Sequence, residues 1–332
     1  MRIAFFSAQP YEKEPFEKVN ENYKHEIDYH ESILNKKTAV LAEKAPVVCV
    51  FVNDKVDADT LKVLAKNGTK LIALRCAGFN NVDLKAAADN GITVVRVPAY
   101  SPYAVAEYTI GLLLSLNRKI HRAYVRVRED DFNLNGLLGH DLHGKTIGLL
   151  GTGRIGGLVA KCLKLGFGCE VLAHDIKPNK ELEKFGIQFV EQQEVLAKAD
   201  FLCLHCPLTP DTEHLVDEKL LASMKKGVKI INTSRGGLVD TKALVKAIES
   251  GQVGGCAMDV YEGERRLFYR DLSNEVIKDT TFQQLANFPN VLVTSHQAFF
   301  TAEALSAIAH TTLKNVSDFA SQNNDPSVIV KN

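Results

Sequence analysis

The stretch Lys145-Thr-Ile-Gly-Leu-Leu-Gly-Thr-Gly-Arg-Ile-Gly-Gly157 constrains this chain more than any other. An apolar run, residues 146–150, meets glycines at 151, 153 and 156, and a helical pattern begins at Leu158. Gly151 suits the tight turn off a strand, and Gly153 lets backbone N–H groups approach a pyrophosphate. Gly156 lets the helix pack close to the sheet, while the helix N-terminus supplies partial positive charge. Gly166–Glu170 ends that helix, and a second strand, Val171–His174, closes on Asp175, 19 residues after Gly156. A carboxylate at that distance can accept hydrogen bonds from an adenosine ribose. A 2′-phosphate beside Asp175 would be repelled, so NAD is favoured over NADP; Lys177 softens the preference.

The rest of the chain repeats the α/β rhythm. At 332 residues it exceeds what one core usually organises, so two domains are expected. In the first hundred residues, strand patterns at Ile3–Phe6, His25–Tyr29, Val47–Val52, Leu71–Leu74 and Thr93–Val95 alternate with helical ones such as Ala58–Asn67 and Asp83–Asn90. The first strand is followed by Ser7-Ala-Gln-Pro10, without glycines. This half is built like a nucleotide binder without its equipment, which suits it to serving a substrate. Pro98–Pro102 marks a break before a long helix, expected from about Tyr103 to Arg128. From Lys145 onward, further strands are expected at Asp200–His205, Val228–Asn232, Gly255–Asp259 and Asn290–Thr294. A last helix carries Leu305, Ile308, Leu313, Val316 and Phe319 on one face, and periodicity alone does not say which domain it caps.

Composition narrows the partners. Forty basic residues balance forty acidic ones without long blocks of either sign, which points away from nucleic acid and anionic membranes. The longest apolar run, Ile110–Leu116, is too short to span a bilayer, and Met1–Ser7 reads as a strand rather than a signal peptide. Seven cysteines, mostly within apolar patterns, suit reduced thiols and a cytoplasmic setting. Cys203-Leu-His-Cys206 has the spacing of a zinc half-site or redox motif. No second pair exists, however, and the motif ends a strand at Pro207 instead of opening a helix, so no metal site is expected.

Three later strand ends carry chemistry. Ile231–Gly237 presents Arg235, whose guanidinium can grip a carboxylate through two parallel hydrogen bonds. Ala257–Glu264 puts Asp259 and Glu264 at and beyond the next strand end, and Leu292–Phe299 places His296 after the last strand. Histidine suits proton transfer near neutral pH, and a carboxylate on its far nitrogen fixes the tautomer and stabilises the imidazolium. Ligands of open α/β sheets bind at carboxyl strand ends, so Arg, Glu and His beside a dinucleotide form a carbonyl-reducing set.

Gly-Thr-Gly-Arg-Ile-Gly (151–156), Leu-His-Cys-Pro-Leu-Thr-Pro (204–210), Asn-Thr-Ser-Arg-Gly-Gly (232–237) and Met-Asp-Val-Tyr-Glu (258–262) together resemble the D-isomer-specific 2-hydroxyacid dehydrogenases. Leu-Arg-Cys-Ala-Gly-Phe-Asn-Asn-Val-Asp-Leu (74–84), Val-Pro-Ala-Tyr-Ser-Pro (97–102) and Ser-His-Gln-Ala-Phe (295–299) are most similar to its bacterial, fermentative, NAD-dependent D-lactate branch. The 32 residues from Glu264 to His296 hold a long aromatic and basic insert, Arg265–Asn274, that also looks like the lactate branch.

The resemblance implies two doubly wound parallel-sheet domains, Rossmann- or flavodoxin-like, with an interdomain active-site cleft. Residues 1–99 plus 300–332 would form a discontinuous substrate domain, and 100–299 the NAD-binding domain. Arg235 would bind the substrate carboxylate and polarise the C2 carbonyl, His296 would be the acid/base, and Glu264 its partner. Arg154 and Ile155 match the dinucleotide turn, and Asp175 would hold the ribose. Cys206, Pro207, Thr233, Ser234 and Asp259 match positions lining the cofactor. Thr212 stands where close relatives more often carry Asn. Ala77, Gly78, Tyr100 and Phe299 would line the substrate, the two aromatics limiting room for the C3 group. The activity implied is NADH-dependent reduction of pyruvate to D-lactate by a homodimer or homotetramer. Two alternatives stay open: a bulkier 2-keto acid as substrate, and an NAD-sensing binding protein with the same triad.

Overall fold

Val47-Val-Cys-Val50 and Leu71-Ile-Ala-Leu74 are buried along their whole length, as strands covered on both faces must be. They form the centre of the first of two parallel sheets. The computed structural model describes residues 1–323 and 325–330, and the chain divides into two units: Met1–Ser101 with the chain from Phe300 onward, and Pro102–Phe299.

The first unit runs β1 (Arg2–Phe5), α1 (Pro10–Asn20), β2 (Glu26–Tyr29), β3 (Val47–Val50), α2 (Ala58–Lys66), β4 (Leu71–Leu74), α3 (Leu84–Asp89) and β5 (Thr93–Arg96). Strand order is β2-β1-β3-β4-β5, all parallel, so the order reverses between β1 and β3. Asp57 and Asp83 cap α2 and α3 by accepting from the backbone N–H of Thr60 and Ala86.

The second unit opens with α4 (Pro102–Arg118) and α5 (Ile120–Arg128). The expected single helix is therefore two. Lys119 adopts a left-handed backbone, φ 53°, which ends one helix and redirects the next. There follow β6 (Thr146–Leu150), α6 (Arg154–Lys161), β7 (Glu170–His174), β8 (Gln188–Phe189), α7 (Gln192–Lys198), β9 (Phe201–Leu204) and α8 (Glu218–Ser223). The unit closes with β10 (Val228–Asn232), α9 (Thr241–Glu249), β11 (Val253–Met258), α10 (Thr280–Asn287) and β12 (Val291–Val293). The sheet order is β12-β11-β10-β9-β6-β7-β8, all parallel, reversing between β6 and β9. Both layouts are doubly wound α/β, and in each the carboxyl strand ends at the reversal form the natural ligand edge. β8, only two residues long, is too short to leave a pattern in the sequence.

The chain then returns to the first unit with α11 (Ala302–Ala320), which packs on α1. Beyond it, Ile329 bridges Val95 antiparallel, extending the sheet past β5.

One buried ion pair underlies the first sheet. Arg75, which follows β4, is fully buried, with Nε 2.6 Å from Glu12 Oε1 and Nη2 donating to Glu12 Oε2 and to Ser7 O. Its guanidinium lies 4.2 Å from the Phe5 ring centroid and 4.9 Å from that of Phe51. Nearby Asp54 accepts from Ser7 Oγ and from the backbone N–H of Leu34 and Phe51. Burial pushes the Asp54 carboxyl upward, while Arg75 and these donors pull it back. Removing one partner of such a pair leaves a buried charge uncompensated. Glu12→Gln should therefore lose about 3–5 kcal/mol in urea unfolding, and Arg75→Met, which strips both Glu12 and the buried Asp54 of their cation, should lose at least as much. A near-wild-type stability in either variant would contradict this account.

Candidate active site

The glycine turn owes its shape to what lies against it. Gly151 has φ +94°, and a Cβ there would stand 2.7 Å from the backbone N of Cys206. At Gly156 a Cβ would come within 2.3 Å of Gly151 O. Only bare backbone allows β6, the start of α6 and the end of β9 to converge this closely. Gly153 immediately precedes α6 and offers no side chain to cap it, so the helix N-terminus faces outward with unsatisfied N–H groups.

In front of this turn lies a cavity of about 430 Å³, lined among others by Gly153, Arg154, Lys161, Asp175, Lys177 and Asn179. Three cations and one carboxylate around a helix N-terminus fit the phosphates and ribose of a dinucleotide. Asp175 Oδ2 accepts from Thr152 N at 2.6 Å and from Thr152 Oγ1 at 2.9 Å, and Oδ1 accepts from Lys177 N at 2.8 Å. Burial opposes its charge, but these donors prevail and hold the carboxyl below its ordinary range. Oδ1 keeps a lone pair for a further donor. Ile155 lies in the first turn of α6, half-buried against the core.

Thr233 lies past β10, where its hydroxyl hydrogen-bonds Thr109 Oγ1 at 2.7 Å; Ser234 Oγ donates to Cys206 O at 2.7 Å. Pro207 O accepts from Thr212 Oγ1 at 2.6 Å, so the Thr212 hydroxyl is engaged in closing its own loop. Burial pushes the Cys206 thiol up to about 11 and the Cys203 thiol up to about 12, so both are poor nucleophiles at neutral pH. His205 between them is driven down to about 4 by burial, which makes it a neutral structural ring.

Arg235, Glu264 and His296 stand beyond the carboxyl ends of β10, β11 and β12, three adjacent strands. Arg235 is half-buried and Nη1 donates to Ser234 O at 2.7 Å. Gly236 sets how close its turn comes to the next, since a Cβ would lie 2.1 Å from the carbonyl carbon of Tyr261. Glu264 Oε2 accepts from Tyr261 N at 2.9 Å, and Oε1 is 2.9 Å from His296 Nδ1. A carboxylate only accepts, so Nδ1 carries the proton and Nε2 is left for other chemistry.

His296 has φ 56°, an uncommon backbone for histidine, and its surroundings over-determine it. Its N–H donates to Asp259 O at 2.6 Å, and its carbonyl accepts from Tyr269 OH at 2.7 Å. The buried Asp259 carboxylate accepts from Thr294 Oγ1, Gln297 N and Ala298 N. Burial raises its carboxyl against the pull of these bonds. Asp259, expected along the cofactor, thus spends its side chain building the turn that carries His296. Tyr269 was not singled out by sequence reasoning; its only signal was membership of the aromatic insert.

Among the residues expected at the substrate, Phe299 is buried just past the His296 turn. Ala77, Gly78 and Tyr100 belong to the first unit, where Arg96 Nη1 donates to Ala77 O and the Cys76 thiol to Gly78 O. No helix is long and apolar enough to cross a membrane, and no cluster of metal-ligating side chains occurs, among the described residues.

A family profile for the D-isomer-specific 2-hydroxyacid dehydrogenase NAD-binding domain matches residues 110–298. The chain is 72% identical over 329 residues to "2-hydroxyacid dehydrogenase homolog 2" of Schizosaccharomyces pombe, covering 99% of each. It is 47% identical to D-lactate dehydrogenase of Escherichia coli, covering 99% of this chain and all of that one. The apo-structure of D-lactate dehydrogenase from Escherichia coli superposes with a TM-score of 0.89 over 98% of this chain and 99% of that one, at 45% identity.

A second histidine offers a test of the local electrostatics. His214 Nε2 lies 2.7 Å from Glu262 Oε1, whose other oxygen accepts from Thr241 Oγ1. The Glu262 hydrogen bond raises His214 above its ordinary value. A raised histidine contributes stability in full below its unfolded value near 6.5, and loses it as pH rises through the folded value. NMR titration should find His214 elevated, and Glu262→Gln should bring it down; an unshifted His214 in that variant would contradict the pairing.

Proposed function

Because this chain belongs to the D-isomer-specific 2-hydroxyacid dehydrogenase family and carries its NAD-binding domain, we propose that it is an NAD-dependent D-lactate dehydrogenase, reversibly reducing pyruvate to D-lactate. The observation that carries this reading is the His296–Glu264 pair, which with Arg235 stands beyond the carboxyl ends of three neighbouring strands of the dinucleotide-binding sheet. Gly151, Gly153, Arg154 and Asp175 would hold NADH at the 151–156 turn, and the chemistry it would supply there is a hydride for C2 of the keto acid.

Every other part of the reaction falls to side chains and backbone. Arg235 takes the substrate carboxylate through its fork of N–H groups and draws electron density from the neighbouring carbonyl. The family resemblance gives the backbone N–H groups near Ala77 and Gly78 a role in carboxylate binding, and Tyr100 and Phe299 a role in limiting the substrate's methyl group. His296, protonated on both nitrogens, donates from Nε2 to the oxygen as the C2 alkoxide develops, while Glu264 holds Nδ1 and stabilises the cation. In lactate oxidation the same nitrogen takes the proton back. Arg154 and Ile155 in the glycine turn, Asp175 at the ribose, and Cys206, Pro207, Thr212, Thr233 and Ser234 along the cofactor complete the assignment.

The long insert after Glu264, which resembles the lactate branch, also supports the histidine, since its Tyr269 fastens the His296 carbonyl. A homodimer or homotetramer fits the exposed apolar side chains on and after α5, among them Tyr124, Val125, Phe132, Leu134 and Leu138. We place the enzyme in the cytoplasm, a setting that its seven free thiols suit.

Loss of NADH absorbance with pyruvate tests the assignment directly; turnover that favours 2-ketoisocaproate or phenylpyruvate over pyruvate would shift it to a bulkier substrate. Binding of NADH with no turnover on any 2-keto acid would indicate a sensor. His296→Gln should lower kcat by roughly 10²–10⁴-fold, the usual contribution of general acid–base catalysis. Arg235→Lys should chiefly raise the pyruvate KM, and wild-type constants in either variant would refute its role. Light scattering should give the mass of two or four chains; a monomer would refute the oligomer.

A further inference from the structure

In the first unit, Cys76-Ala-Gly-Phe79 follows Arg75 at the carboxyl end of β4. Two of its carbonyls are held: Arg96 Nη1 donates to Ala77 O at 3.0 Å, and the Cys76 thiol donates to Gly78 O at 3.3 Å. A trans peptide points its N–H opposite to its C=O. Holding Ala77 O therefore turns the Gly78 N–H the other way, and holding Gly78 O does the same for the N–H of Phe79. Among the described residues, no hydrogen bond uses the backbone N–H of Ala77, Gly78 or Phe79. Backbone N–H groups left without a protein acceptor in this way are available to an anion.

Sterics alone do not keep them there. Flipping the Ala77–Gly78 peptide changes only ψ of Ala77 and φ of Gly78, and glycine accepts φ of either sign. After a flip the loop would present a carbonyl oxygen where the Gly78 N–H had been. The bond from Arg96 opposes that flip. Arg96 is itself firmly seated: its guanidinium lies over the Phe79 ring at 5.1 Å, its N–H donates to Val328 O, and its carbonyl accepts from Asn315 Nδ2. Asn315 and Val328 come from the returning C-terminal segment.

We propose that Arg96 is a positioning residue for the substrate carboxylate, fixing the Ala77–Gly78 peptide with its N–H toward the 2-keto acid. The proposal rests on the carboxylate-binding role assigned above to this loop. Arg96 acts on the binding of the acid group, which ground state and transition state share, so its loss should appear in KM rather than kcat.

The test is steady-state kinetics on the full chain, with oxamate inhibition as a second readout of carboxylate binding. Arg96→Gln should raise the pyruvate KM and the oxamate inhibition constant by about tenfold, leaving kcat and the NADH KM within about twofold. Arg96→Lys, which keeps the charge and one donor, should recover part of the loss but stay at least about threefold above wild type. A folded Arg96→Gln protein with wild-type pyruvate KM overturns the proposal, as does an equal rise in the NADH KM. If thermal melting shows that Arg96→Gln does not fold, Arg96→Lys decides: a wild-type pyruvate KM there overturns it. Wild-type enzyme that reduces no 2-keto acid would instead refute the dehydrogenase reading, and this proposal with it.

Discussion

The turn that carries His296 has no regular structure, and its shape comes from the Asp259 carboxylate. That side chain is buried at the end of β11 and accepts from Thr294, Gln297 and Ala298, while its backbone carbonyl receives the His296 N–H. Burying a carboxylate costs several kcal/mol unless hydrogen bonds replace its water, and here the replacements are the N–H groups of the next strand's exit loop. The cost of burial thereby becomes a fixed geometry. It also offsets the left-handed backbone at His296, which costs on the order of 1–3 kcal/mol and would relax if the turn were free. Glu264 then needs only to reach the imidazole, because the ring is already aimed.

The first sheet uses the same device with different residues. Arg75 and Glu12 are buried past β4 and early in α1, with the Phe5 and Phe51 rings against the guanidinium, and they fasten the loops after β1 and β4. In both units the carboxyl strand ends, where ligands of such sheets bind, are held by buried charge and not by apolar packing alone. Apolar contact is non-directional and can fix a strand's depth in a sheet; it cannot fix the heading of an N–H or an imidazole nitrogen.

Much of this was legible from the chain alone. Parallel strands covered on both faces need continuous apolar runs, so their existence stood out, and a glycine at 151, 153 and 156 has few other uses. The long helix expected from about 103 to 128 shows where local pattern fails. Its apolar and polar periodicity runs on past Lys119, where no glycine or proline marks a break, yet that residue takes a left-handed backbone and splits the helix. β8 is likewise set by pairing with β7, which no two-residue pattern can announce.

The sequence by itself determined two doubly wound parallel sheets and the dinucleotide turn, and it set Arg235, Glu264 and His296, the reactive set we propose, beyond three strand ends, because each depends on residue type at a strand end. Only the tertiary structure decided how those groups are aimed. That Asp259 serves the His296 turn, that Thr212 closes its own loop, that Tyr269 fastens the His296 carbonyl, and that Arg96 holds the Ala77 carbonyl are all contacts between segments distant or irregular in sequence. The physical reason is that hydrogen-bond direction depends on where two backbones meet in space, and spacing along one chain records only which residues are available to meet.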